Sequence, residues 1–188
     1  METKKSLTNI LLLCLFLMFS MSLMAQQPKE SRKEKKARQK KEQEVKFLNA
    51  KALLYDTAFV VPANNISLNN GQTFNINNTI NFLRLSGHEG AIQISAYLAP
   101  DRGLNNTGEL FVKGPITFVN FIEKNDRVTL SFLLNGETIK LRITVSICGS
   151  DQATVFVDQN IGGPAFQLSG KMVQFKDAQI YERKLYSR

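Results

Sequence analysis

The residue types able to do chemistry are few and scattered in this 188-residue chain. Its single histidine, His88, lies in Ser86-Gly87-His88-Glu89-Gly90, a turn-like setting that predicts an exposed side chain. One imidazole cannot build a multi-histidine zinc site. Cys148 ends an alternating run and falls on its polar side. A nucleophilic thiol needs an adjacent base or a positive field, and no such neighbour is visible. Asp101, Asp126, Asp151 and Asp158 fall mostly in predicted turns, and their spacing fixes no acid–base pair. No phosphate loop, nucleophile elbow or calcium loop is present. The chain is therefore expected to carry no catalytic residue, no metal site and no cofactor. Asp56-Thr57-Ala58 matches the Asp-Thr/Ser-aliphatic acceptor for O-glycosylation of exported bacterial proteins, which makes Thr57 a candidate modification site.

Charge supplies the other candidate chemistry. Of the net +8, most lies in residues 29–46, which hold nine basic and four acidic side chains. Residues 47–188 hold thirteen basic and eleven acidic ones, so the remainder is nearly neutral. Arg32, Lys33, Lys35, Lys36, Arg38, Lys40 and Lys41 could together hold an anionic surface such as envelope lipid phosphates. The alternative is a solvated tether. Nucleic acid is a poor partner for this segment, because no aromatic side chains are interleaved to stack on bases.

The elements that would position these groups follow from period and punctuation. Residues 1–25 open with Lys4 and Lys5, continue as an apolar run from Ile10 to Met24 and end at Ala25. That is the order of a secretory signal peptide, and the run is short of the ~20 residues that span a bilayer. Two other readings are an acylated Cys14, which the preceding Leu13 disfavours, and an uncleaved anchor held by the downstream basic run. If the signal is removed, no transmembrane segment remains in the mature chain. Cys148 is then its one cysteine, and no internal disulfide can form.

Residues 29–46 contain strong helix formers and no glycine or proline. Glu34 precedes Arg38, and Glu42 precedes Lys46, by the four residues that favour helical ion pairs. Val45, Leu48, Ala52 and Tyr55 then recur at helical spacing. The expectation is a helix over residues 32–55, docked through that stripe. The expected organisation is a signal peptide over 1–25, a charged tether and helix start over 26–44, and one β-rich domain over 45–188 that includes the docked helix 45–55.

From Thr57 onward, short apolar runs alternate with turn residues. Strands are expected at 58–62, 73–77, 81–86, 91–97, 116–123, 153–158 and 166–175, with a hairpin over 127–148. Asn135-Gly136 suits a two-residue type I′ turn. That turn would pair Leu134 with Glu137, Phe132 with Ile139, Leu130 with Leu141 and Val128 with Ile143, which gives the hairpin one buried face. Asn70-Gly71, Ser86-Gly87, Lys124-Asn125-Asp126, Gly149-Ser150 and Gly162-Gly163-Pro164 mark further turns. The fold class is mainly β: an antiparallel meandering sandwich or flattened barrel of eight to nine strands, behind one basic N-terminal α-helix.

The charged run over residues 32–41, the Phe59-Val60-Val61-Pro62-Ala63 and Phe111-Val112-Lys113-Gly114-Pro115-Ile116 stretches, the hairpin and Phe166-Gln167-Leu168-Ser169-Gly170 together resemble domain-of-unknown-function family 4251. That family comprises small exported proteins of Bacteroidetes. Leu98-Ala99-Pro100-Asp101-Arg102-Gly103 stands where such families carry a tight glycine turn. The resemblance implies export to the periplasm or outer envelope of a Gram-negative bacterium and supplies no reaction. The resulting expectation is a non-enzymatic envelope module that binds a partner protein or an apolar ligand. The alternatives are surface adhesion through the basic helix and a hydrolase whose site assembles only in the fold.

Overall fold

The computed structural model describes residues 31–95, 109–159 and 165–183. The expected signal peptide with Cys14, the Leu98–Gly103 stretch with Asp101, and the Gly162-Gly163-Pro164 turn lie outside them. Helix α1 spans Arg32–Tyr55, as the helix-forming composition predicts. Its start is a reciprocal capping box. The Ser31 N–H donates to Glu34 Oε2 at 2.8 Å, and the Glu34 N–H donates to Ser31 Oγ at 3.2 Å. The chain divides into two compact units at residues 39 and 40, within α1; the second carries the sheet.

Nine strands follow: β1 (Ala58–Leu68), β2 (Thr73–Asn75), β3 (Phe82–Ser86), β4 (Glu89–Ser95), β5 (Glu109–Lys124), β6 (Arg127–Asn135), β7 (Lys140–Cys148), β8 (Gln152–Gln159) and β9 (Phe166–Lys171). Neighbours pair antiparallel in the order β2-β1-β3-β4-β5-β6-β7-β8-β9, and β1 also pairs with β9. Eight strands thus close a barrel, with β2 added beside β1. Two long strands make its corners. β1 pairs with β3 up to Pro62 and with β9 from Ala63. β5 pairs with β4 up to Pro115 and with β6 from Ile116. Proline is tolerated where a strand changes neighbours, because its missing N–H breaks no continuing ladder. The strands expected at 58–62 and 116–123 are therefore each half of a longer strand. A closed antiparallel barrel of eight strands with one more beside it is within the mainly β class that the turn spacing predicts.

The barrel interior is filled with side chains. Phe59, Leu83, Ile92, Leu130, Phe132, Ile143, Val155 and Phe166 are all buried. Within the hairpin, Val128, Leu130, Phe132, Leu134, Leu141, Ile143, Val145 and Ile147 are buried, while Lys140 and Arg142 are exposed. Period two therefore fixes the faces.

It does not fix the register, and here the sequence expectation is corrected. Phe132 faces Ile143 rather than Ile139, and Leu134 faces Leu141. The connection is a four-residue loop over 136–139, closed by Gly136 N–H to Ile139 O at 3.0 Å. The partner strand is displaced by four residues, an even slip that leaves every side chain on its expected face. On the polar side this register sets Thr129 Oγ1 3.0 Å from Ser146 Oγ and Ser131 Oγ 3.2 Å from Thr144 Oγ1. The two-residue turn occurs one hairpin earlier. Lys124 pairs with Arg127 around Asn125-Asp126, and Asn125 takes φ 55°.

β9 stops at Lys171, short of the 175 expected, and the chain continues as a strap over the outer face of β1, β3 and β4. Val60 and Val173 exchange backbone hydrogen bonds at 2.9 Å. The Gln93 amide donates to Ile80 O and Tyr181 O and accepts from Arg183 N–H. A 3-10 turn over Phe175–Asp177 places the Phe175 ring 5.6 Å from the Arg84 guanidinium. This cover explains the runs in which successive residues are all buried: Phe59-Val60-Val61 and Ala91-Ile92-Gln93-Ile94.

Candidate functional site

The helix meets the barrel through Ala50 and Leu54, which are buried in the core, with Phe47 and Leu53 partly buried against it. The expected docking stripe is turned outward instead: Val45 is 57% exposed, Leu48 55% and Tyr55 42%. Two apolar stripes share this helix. The one carrying Phe47 and Leu54 buries more apolar surface than the one carrying Val45 and Ala52, and apolar burial is worth about 25 cal/mol per Å².

A polar clamp fastens the helix end to β5. Lys51 Nζ lies 2.5 Å from Glu123 Oε1, and Tyr55 OH donates to Glu123 Oε2 at 2.7 Å. The Tyr55 ring stacks on Phe121 with centroids 5.0 Å apart. Hydrogen bonds from Lys51 and Tyr55 lower the Glu123 carboxyl below its ordinary value. The hydrogen bond to Glu123 raises both Lys51 and Tyr55 above theirs.

The sequence-marked residues do not converge. Arg32, Lys33, Lys35, Lys36, Arg38, Lys40 and Lys41 are all exposed along α1. Thr57 caps the helix with φ 48°, and its hydroxyl donates to Gly87 O at 3.1 Å. His88 is exposed in the β3–β4 turn, and Cys148 is exposed at the end of β7. Asp151 pairs with Lys171 at 3.3 Å and shares a mixed-charge cleft with Asp56 and Asp177. Among the described residues, no group of three or more His, Cys, Asp or Glu is placed to hold a metal. No helix among them is long and apolar enough to cross a membrane.

β5 carries an exposed departure from regular pairing. Thr117 faces Leu133 and Asn120 faces Ser131, so three steps on β5 match two on β6. The extra residue is a bulge. Phe118 sits in it with φ 53° and 82% of its surface exposed. A left-handed backbone costs an L-residue roughly 1–2 kcal/mol, and this side chain returns little burial for it. Val119 and Ile122 are also exposed, at 42% and 56%. Phe118, Leu133 and Arg142 line a cleft of about 340 Å³ beside the bulge.

The strand edge here is open as well. β4 leaves β5 at Pro115, and beyond Ile116, whose N–H reaches His88 O, the far edge of β5 has no backbone partner among the described residues. A patch with free backbone groups, exposed apolar side chains and Arg142 beside it can seat an extended polypeptide. Sequence reading missed it because strict alternation from Ile116 puts Phe118 inside.

A family model described as "Domain of unknown function (DUF4251)" matches residues 40–172. The crystal structure of a DUF4251 family protein from Bacteroides eggerthii DSM 20697 is similar to this fold. Its TM-score is 0.64 at 25% sequence identity, over 73% of this chain and 93% of that one. No curated protein matches the chain.

Proposed function

The chain belongs to the DUF4251 family, and from that premise we propose that it is an exported envelope protein acting as a non-enzymatic interaction module, with a partner protein docked on β5. The observation that carries this reading is Phe118, a large aromatic held out to solvent on a strained bulge. Strained backbone persists where the surrounding structure enforces it, and such positions cluster at binding sites. Aromatic anchors ringed by weaker apolar contacts are also how protein interfaces concentrate affinity. A partner protein fits better than an apolar ligand, because the barrel interior is filled and the exposed apolar groups lie on an outer strand.

Export rests on the order of charge, apolar run and Ala25 over residues 1–25. Protein recovered from the host periplasm or outer envelope and beginning at Gln26 supports it; cytoplasmic protein retaining Met1 overturns it. An O-linked glycan at Thr57 belongs to the same reading. Its attachment would replace the hydroxyl bond to Gly87, and the intact mass of native protein decides the matter.

The docking claim is tested with a photo-crosslinking residue placed, in the native host, at Phe118, at Ile122, or at exposed Gln167 on β9. One discrete adduct shared by the first two positions and missing from the third is expected. No adduct, or the same adducts at all three, overturns it.

A further inference from the structure

We infer that the outward stripe of α1, Val45 and Leu48, together with the lysines that precede it, docks on an anionic lipid bilayer surface. Val45 and Leu48 lie before the point where Tyr55 fastens the helix to β5 through Phe121 and Glu123, and the inference does not rest on the reading given for β5. Val45 and Leu48 are each more than two-fifths exposed, on one face of a helix whose other apolar stripe is spent on the barrel core. The same helix carries Lys40 and Lys41 just before the stripe, both exposed. Its acidic residues there are Glu42 and Glu44.

Charge decides the occupant. Residues 29–46 hold nine basic against four acidic side chains, so a second copy would bring this excess against itself. Lipid phosphates complement it. The stripe matches the polar–apolar boundary of a bilayer: Val45 and Leu48 can enter the acyl edge, and lysine stems reach back to phosphates. Two modest terms, apolar insertion and basic attraction, are what a reversible peripheral helix uses.

The test is cosedimentation of protein purified from the host with vesicles of phosphatidylcholine alone or mixed with phosphatidylglycerol. Binding is expected to the mixed vesicles only and to weaken as salt is raised. Val45→Asp with Leu48→Asp, and separately Lys40→Glu with Lys41→Glu, are expected to lower binding by roughly tenfold or more. All four positions are exposed, so circular dichroism and the thermal midpoint of each variant should match the parent. Phe118→Ser is expected to bind vesicles as the parent does. Equal binding to both vesicle types, or undiminished binding by the Val45/Leu48 variant, overturns the inference. So does a parent that ignores vesicles but sediments as a dimer, with the variant a monomer, since the stripe would then belong to a second copy.

Discussion

The Cβ that Gly114 lacks would lie 1.9 Å from the carbonyl oxygen of Asn135. β5 changes partner one residue later, at Pro115, and the crossing brings its backbone against the end of β6. Asn135 completes the corner by donating from its side-chain amide to Thr117 Oγ1 at 2.9 Å and to Pro115 O at 3.2 Å. The opposite corner repeats the device: a Cβ on Gly170 would lie 2.0 Å from Pro62 O.

Gly114→Ala is therefore expected to destabilise the protein by about 3 kcal/mol, the upper range for overpacking. The clash is with backbone, so no substitution of the Asn135 side chain relieves it. Gly149 has φ +57° and nothing within 4 Å of its missing Cβ, so Gly149→Ala should cost only the left-handed penalty, about 1–2 kcal/mol. Urea unfolding checks both, with the midpoint falling and the slope unchanged. Equal losses at the two positions would remove the close-approach account.

These corners also mark where sequence reading stopped. Pro62 and Gly114-Pro115 look like strand terminators in the sequence, yet both lie inside strands, because the strands turn from one neighbour to another there. Local composition cannot distinguish an ending strand from one changing partners. The hairpin shows a second limit. Alternation from Val128 to Ile147 fixed the buried face, while the register depended on loop length and on the Thr129–Ser146 and Ser131–Thr144 contacts, which period two leaves open. On α1 two apolar stripes competed, and only the barrel shows which is buried. Helix bounds, strand count and polar faces were legible; the β5 bulge left no trace in the alternation.

Gln93 is 7% exposed and ties three backbone groups of the β3 approach and the strap. Gln93→Leu keeps its approximate volume and leaves Ile80 O, Tyr181 O and Arg183 N–H without that partner. A loss of about 2–3 kcal/mol is expected, with faster amide exchange at Arg183. Unchanged exchange there would mean that the strap is held instead by its ion pairs, Glu182 with Arg84 and Lys113 and Arg183 with Glu109.

Phe118 should separate stability from binding. Phe118→Gly relieves a left-handed conformation worth roughly 1–2 kcal/mol and adds chain entropy to the unfolded state. Stability is expected to stay level or rise by up to about 1 kcal/mol, while crosslinking from Ile122 to the partner disappears. A fall in stability of more than about 1 kcal/mol would instead make the ring part of the core economy of the barrel and undercut the docking role.

The Glu123 clamp sets a pH dependence for helix docking. Hydrogen bonds from Lys51 and Tyr55 lower the Glu123 carboxyl below its ordinary 4.5 in the folded chain. A depressed carboxyl contributes stability that is present above its unfolded value and is lost as pH falls through its folded one. Lys51 and Tyr55 are raised above their ordinary 10.5 and 10.0, so their share is complete below those values and is lost as pH rises beyond them. Between the two limits the clamp is constant. Exchange of amides near Leu54, followed by mass spectrometry, should therefore stay level across neutral pH after correction for intrinsic rates. It should then rise below about pH 4.5 and above about pH 10. Glu123→Gln keeps the side chain's shape but removes its charge, so its acid limb should flatten while Ala50 and Leu54 still hold the helix through burial. A Glu123→Gln variant with the parent's acid limb would assign that limb to carboxylates elsewhere in the barrel and leave the clamp without a role in docking.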